Sequence, residues 1–119
     1  MRKLYGNNRK KHIVECMILR KYRWSKHYES AEEELIDFLS AKKIETERWT
    51  AEEYEVFPSH KHDFDTRIFC AEGSISFTVS GKEISLQTGD ALDLPANTAH
   101  EAKAGFSGCV CYESGEHHK

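Results

Sequence analysis

The feature that most constrains the fold of this chain is an alternation of apolar and polar residues, with a period of two, that begins after Ile44. Between Ser74 and Val79, every second residue is apolar and the residues between them are serine or threonine. Successive side chains on a β-strand point to opposite faces, so the pattern predicts strands with one apolar face. Turn residues interrupt it about every eight residues, and short strands at such intervals predict an all-β sandwich or barrel.

A different pattern precedes the strands and predicts one N-terminal α-helix within residues 30–43, centred on 31–42. Ser30 and Glu33 have the spacing of a capping box. Residues 32–34 are all glutamate, and negative charge in the first turn is favoured by the helix dipole. An apolar stripe follows and ends at two lysines, which suit the carboxyl end of a helix. We expect this helix to pack on the strand-rich body or on a second subunit.

Charge is distributed unevenly along the 119 residues. Residues 1–30 contain nine Lys and Arg against two Glu, whereas residues 31–119 contain eight against eighteen acidic residues. Phosphate binding is largely electrostatic, so a body with this excess of negative charge is not expected to bind nucleic acid. The basic segment carries no recognised binding motif. We predict that residues 1–29 are a disordered or weakly attached extension.

No segment predicts a membrane span or a secretion signal. A span needs roughly 18–20 consecutive apolar residues, and no stretch of the sequence approaches that length. The early apolar run at 13–19 contains Glu15 and lacks a small-residue cleavage site. We therefore expect a cytoplasmic protein with no membrane partner.

The cysteines do not have the spacing of a disulfide framework. In a protein without a secretion signal, they are expected to remain reduced thiols. Cys109 and Cys111 are two residues apart, so on a strand they would share one face and pack as small apolar side chains. The chain has four cysteines: Cys16, Cys70, Cys109 and Cys111.

Three histidines have a spacing that predicts a metal site. His60 and His62 are two residues apart, which would direct both imidazoles to the same side of a strand. His100 follows 38 residues later, after a Pro-Ala-Asn turn. Three imidazoles around a divalent cation form an open site, with positions left for water or a substrate. The remaining four histidines are assigned no chemistry: His12, His27, His117 and His118.

The segments that contain these histidines resemble the two conserved motifs of the cupin superfamily. Residues 60–73 resemble the first motif, in which H-x-H is followed by Glu and later by Gly, and residues 89–100 resemble the second, G-x5-P-x-G-x2-H. The resemblance implies a jelly-roll barrel, a double-stranded β-helix, over residues 44–115, with a short tail at 116–119. It also implies that His60, His62 and His100 hold a divalent metal ion, of which Zn, Fe, Ni and Mn all remain possible.

The sequence departs from these motifs at the position of the glutamate, which is a frequent fourth ligand in the family. Thr66 occupies this position, and a neutral hydroxyl is a weak ligand. Asp65 could replace it only through a bulge, because alternation directs Asp65 and Arg67 away from the histidine face. Asn97 replaces the second motif's later glycine, and asparagine can adopt the left-handed turn conformation. Three neutral imidazoles should bind a metal ion less tightly and leave it a stronger Lewis acid.

Two functional hypotheses follow from the resemblance. In the first, the protein is a metal-binding cupin that binds or transforms a small polar metabolite in the barrel. Its catalytic residues remain unassigned, because Asp65 and Glu101 flank the ligand positions but should point outward. In the alternative, it is a non-enzymatic small-molecule-binding or sensor cupin without bound metal.

The segment before the histidine pair predicts self-association. Trp49 and Phe57 belong to an entering strand, and an unpaired edge strand can pair with another chain. We expect a homodimer formed through the helix and residues 45–57.

Overall fold

A computed structural model describes residues 17–27 and 32–116 of the chain. Every strand pairing within these ranges is antiparallel, and the described residues contain one α-helix. The predicted all-β fold with one N-terminal helix is therefore confirmed. The elements are β1 (Arg20–Arg23), α1 (Glu32–Lys42), β2 (Glu47–Ala51), β3 (Val56–His60), β4 (Asp65–Val79), β5 (Lys82–Gln87), β6 (Asp90–Leu94) and β7 (His100–Glu116).

Two long strands, β4 and β7, pair with each other and organise the whole sheet. The first half of β4 and the second half of β7 lie in the strand order β1-β6-β4-β7-β2. Their other halves pair with β5 and β3, which lie off that path. The long strands thus pass through both layers of the jelly roll.

The long strands bend where Gly73 of β4 crosses Gly108 of β7. The register between the strands shifts on both sides of Gly73, which marks a bulge. A Cβ atom on Gly73 would stand 2.1 Å from the Gly108 carbonyl oxygen, and Gly73 has φ +79°, so only glycine fits this crossing. The bulge also changes which residues of β4 point into the core. Before it these are even-numbered residues, such as Ile68 and Cys70, and after it they are odd-numbered residues, such as Ile75 and Phe77.

Helix α1 covers the outer face of the first layer, within the predicted segment 30–43. Leu35 and Leu39 are buried in a cluster with Phe69 and Tyr112 of the sheet. Glu32, at the start of the helix, accepts a hydrogen bond of 2.6 Å from Arg48 Nε and another from the Tyr112 hydroxyl. The predicted cap, Ser30, lies outside the described residues.

Part of the basic extension belongs to the sheet. Strand β1 pairs with β6, and Arg23 Nη1 lies 3.1 Å from Asp90 Oδ1. Trp24 is buried, and its indole N–H donates to the Cys70 carbonyl at 3.0 Å. This attachment differs from the expected weakly attached extension, because acidic side chains on β6 compensate the basic residues and the edge of β6 supplies backbone partners.

His12, Cys16, His117 and His118 lie outside the described residues. Within the described ranges, the helix is too short and too polar to span a bilayer.

Candidate metal centre

The structure brings the three predicted histidines together at one end of the barrel, where His60 is exposed, His62 is half-buried and His100 is buried. His60 ends β3 and His100 begins β7, and the two residues are register partners. His62 lies in the loop after β3. One ring nitrogen of each histidine lies within 4.8 Å of those of the other two. The ring centroids of His60 and His100 are 4.3 Å apart.

Backbone carbonyl groups determine which nitrogen of two of these rings is available. His60 Nδ1 lies 2.9 Å from the Pro58 carbonyl oxygen, and His100 Nδ1 lies 3.0 Å from the Thr98 carbonyl oxygen. A carbonyl oxygen only accepts, so each Nδ1 carries the proton and donates it. In the neutral ring, the lone pair is then on Nε2, which is the arrangement found in metal-binding histidines.

Packing fixes the orientation of the rings. His62 stacks on Phe64 with ring centroids 4.9 Å apart, and the Phe64 ring in turn lies over Gly115, where a Cβ atom would stand 2.7 Å from it. His100 is buried. Burial lowers the pKa of His100, and the nearby His60 and His62 lower it further, against the opposing hydrogen bond to Thr98. His100 is therefore held in the neutral form that a metal ion requires.

The turn of the second motif is hydrogen-bonded to the first motif. Asn97 has φ +63°, the left-handed conformation expected at this position, and its N–H donates to the His62 carbonyl at 2.6 Å. Asp65 Oδ1 accepts a hydrogen bond of 2.9 Å from the Ala96 N–H. The Asp65 carboxylate thus faces this turn, and the two hydrogen bonds hold the distant motifs in register.

The other residues considered from the sequence lie outside the histidine cluster. Thr66 is buried, but it does not line the cavity beside the histidines, and its Oγ1 has no hydrogen-bond partner in the described part of the chain. Arg67 Nε lies 3.7 Å from Asp93 Oδ1 in an ion pair on the outer face. Glu101 is exposed.

A cavity of about 260 Å³ adjoins the three histidines. Trp49 and Phe57, which the sequence analysis placed on an edge strand, line this cavity and make an edge-to-face contact with centroids 5.5 Å apart. Most of the wall is apolar. The lining residues are Trp49, Thr50, Phe57, His60, His62, Ile68, Phe77, His100, Ala102 and Glu113.

Glu113 is a functional candidate that the sequence analysis missed. Its Oε1 accepts a hydrogen bond of 3.0 Å from the Trp49 indole N–H. Burial raises the pKa of Glu113, although the Trp49 hydrogen bond and the charges of His62 and His60 oppose this effect. Among the acidic residues near the ligand positions, only Asp65 and Glu101 were considered from the sequence, and both were expected to point outward. Cys109 and Cys111 point into the barrel, and alternate residues of a strand share one face. Glu113 is the next residue at this spacing, so the same alternation would have predicted that it points into the barrel.

Comparison with known proteins identifies the family. The cupin domain family matches residues 48–112, which is more than half of the chain. The chain belongs to the cupin family. This cupin is 45% identical over 42 residues to quercetin 2,3-dioxygenase of Bacillus subtilis (strain 168). The match spans 34% of this chain and 12% of that protein.

Solved structures support the cupin fold. A cupin-2 domain protein from Shewanella frigidimarina superposes with a TM-score of 0.52 and 22% identity, over 60% of this chain and 69% of that chain. A DUF861 family protein from Thermotoga maritima superposes with a TM-score of 0.55 and 17% identity, over 83% of this chain and 100% of that chain. At these identities, the likeness concerns the fold alone.

Proposed function

We propose that His60, His62 and His100 bind one divalent metal ion and that this centre binds or transforms a small molecule in the adjoining cavity. The observation that carries the proposal is the pair of hydrogen bonds from Nδ1 of His60 and His100 to backbone carbonyls. Together with the clustering of the three rings, these bonds prepare lone pairs for a shared cation.

The donor set fits several metals. Imidazole nitrogen suits zinc, iron and nickel, while manganese, which prefers oxygen ligands, is the least favoured of the four candidates. A bound ion would act as a Lewis acid toward an oxygen atom of the ligand. Three neutral imidazoles leave the charge of the ion uncompensated, so the centre favours an anionic or ionisable ligand.

Metal analysis of protein purified without a histidine tag tests the proposal. We expect about one metal ion per chain in the wild type, and loss of most of it in His60→Ala and in His100→Ala. His27→Ala is the matched control, because His27 is exposed and contacts Glu34 rather than the cavity. Stoichiometric metal in both site variants would show that the proposed ligands are wrong.

The alternative function is a binding or sensor module that needs no metal. It is favoured by Thr66, which supplies no negative charge where many cupins have a glutamate ligand, and by the mainly apolar wall of the cavity. Calorimetric titration of the protein with a small molecule that binds in the cavity, carried out with and without a chelator, separates the two functions. Unchanged ligand affinity after removal of the metal supports the sensor, and loss of affinity supports the metal centre.

We also propose that the protein is a cytoplasmic homodimer. Strand β2 is at one end of the principal strand order. Exposed apolar side chains lie on the helix (Ile36), before β3 (Tyr54) and at the start of β3 (Val56). Free thiols at Cys70, Cys109 and Cys111 suit a reducing compartment. Light scattering that gives the mass of one chain at micromolar concentration would rule out the dimer.

A further inference from the structure

The cavity contains a carboxylate that the metal proposal does not use. Glu113 lies on β7, where Ile68 of β4 and Glu47 of β2 are its register partners. One of its oxygens is held by the Trp49 indole. Within residues 17–27 and 32–116, its other oxygen accepts no hydrogen bond, and no Lys, Arg or His nitrogen lies within ion-pair distance. One oxygen of the Glu113 carboxylate is therefore fixed by Trp49, and the other oxygen is available to a ligand.

The rest of the wall restricts the ligand to a small, mainly apolar molecule. Trp49, Phe57 and Phe77 present aromatic surfaces, and Glu113 is the single carboxylate among the described lining residues. A ligand with many hydroxyl groups, such as a sugar acid, would lose roughly 1–3 kcal/mol for each hydroxyl that is placed against this wall, away from water and without a partner. The cavity volume of about 260 Å³ limits the size of the ligand.

Charge balance indicates what polar group the ligand carries. The three imidazoles are neutral ligands, so the centre lacks negative charge, while the carboxylate across the cavity can accept a proton. A ligand hydroxyl that gives its proton to Glu113 satisfies both requirements at once. Its O–H bond breaks, a carboxyl O–H bond forms on Glu113, and the electron pair stays on the ligand oxygen as an oxyanion.

We infer that the cavity binds a small phenol or enol, with its ring or planar body against the aromatic wall and its hydroxyl hydrogen-bonded to Glu113. This inference rests on the proposed metal centre and adds to it the class of ligand and the residue that accepts the proton. An aromatic body fits the Trp49–Phe57 pair, whose edge-to-face contact already lines one side of the cavity.

The probe for this inference is 4-nitrocatechol, a phenol whose absorption spectrum changes when a hydroxyl ionises. The full-length protein is loaded with zinc, which has no colour and no redox chemistry, and its metal content is measured before titration. Glu113→Gln is the test variant, because the amide oxygen can still accept the Trp49 hydrogen bond. Glu83→Gln is the matched control, because it removes the same charge at an exposed position of β5 that does not line the cavity.

We expect the wild type and Glu83→Gln to bind the probe in its ionised form. Glu113→Gln should keep its zinc, bind about tenfold more weakly and ionise a smaller fraction of the bound probe at the same pH. Equal affinity and ionisation in zinc-loaded Glu113→Gln and wild type would overturn the inference and leave the metal centre intact. A wild type that retains no zinc would overturn both.

Competition tests the class of ligand. Catechol should displace the probe, and gluconate at the same concentration should not. Displacement by gluconate as effective as by catechol would overturn the assignment to phenols and enols.

Discussion

The two ends of the barrel interior carry different reactive side chains and use them differently. At one end, three imidazoles and the Glu113 carboxylate line an open cavity. At the other end, three thiols are buried in the core, where Cys109 Sγ and Cys111 Sγ are 3.9 Å apart. The thiols lie on the inward face of their strands, whereas His60 is exposed at the end of β3, His62 lies in the loop after it and His100 is buried at the start of β7. The comparison shows that the imidazoles adjoin an open cavity and that backbone carbonyls orient two of them, whereas the thiols are enclosed in the core.

The thiol end has the properties of a packed core. Cys111 is fully buried, and contacts with Cys109 and Cys70 together with burial raise the pKa of its thiol strongly. A protonated, enclosed thiol is a poor nucleophile and a poor metal ligand. All three cysteines are buried in the apolar core and pack there as small side chains, as expected for Cys109 and Cys111 from their spacing, although the hydrogen bond from Cys111 lowers the pKa of the Cys109 thiol.

The largest predicted effect is on metal binding at the imidazole end. His62→Ala removes one of three ligands, so metal affinity should fall by at least about 100-fold, more than the loss of a supporting hydrogen bond would cause. Competition with a chromophoric chelator measures the change. Cys70→Ala is the control from the thiol end, and a comparable loss of affinity in that variant would contradict the division between the two ends.

An intermediate effect is expected on stability at the thiol end. Cys111→Ser places a hydroxyl in a fully buried position and should reduce the free energy of unfolding by about 1–3 kcal/mol, with unchanged metal content. Denaturant unfolding followed by circular dichroism measures the loss. Cys111→Ala separates the polar effect from the loss of volume, and an equal loss in both variants would show that polarity is not the cause.

The smallest effect is a gain of stability at the imidazole end. Because burial raises the pKa of Glu113 in the folded protein, folding of the metal-free protein becomes less favourable as pH rises above the unfolded-state value of about 4.3. Glu113→Gln should therefore raise the unfolding temperature at pH 7 by a few degrees, and the gain should vanish below about pH 4. Thermal scans at both pH values test this, and a gain that persists in acid would exclude ionisation as its origin.

The histidine cluster could be predicted because its members belong to short motifs with a fixed spacing. Glu113 could not be found in this way, because it lies beyond the second motif and enters the cavity only through the alternation of β7. The attachment of β1 was missed because a basic segment alone does not show that an acidic strand edge will pair with it. The parity change near Gly73 depends on the crossing with Gly108, a contact between residues distant in sequence.

The hydrogen bonds that join the turn at 95–97 to His62 and Asp65 connect the two motifs directly, although a long stretch of chain separates them in sequence. That chain includes the β4–β5 hairpin, which reverses at Ser80 and Gly81, both with positive φ. A Cβ atom on Gly81 would meet no described atom within 4 Å, so this tip projects into solvent. It is a suitable place to insert an epitope or a fluorescent reporter without disturbing the imidazoles.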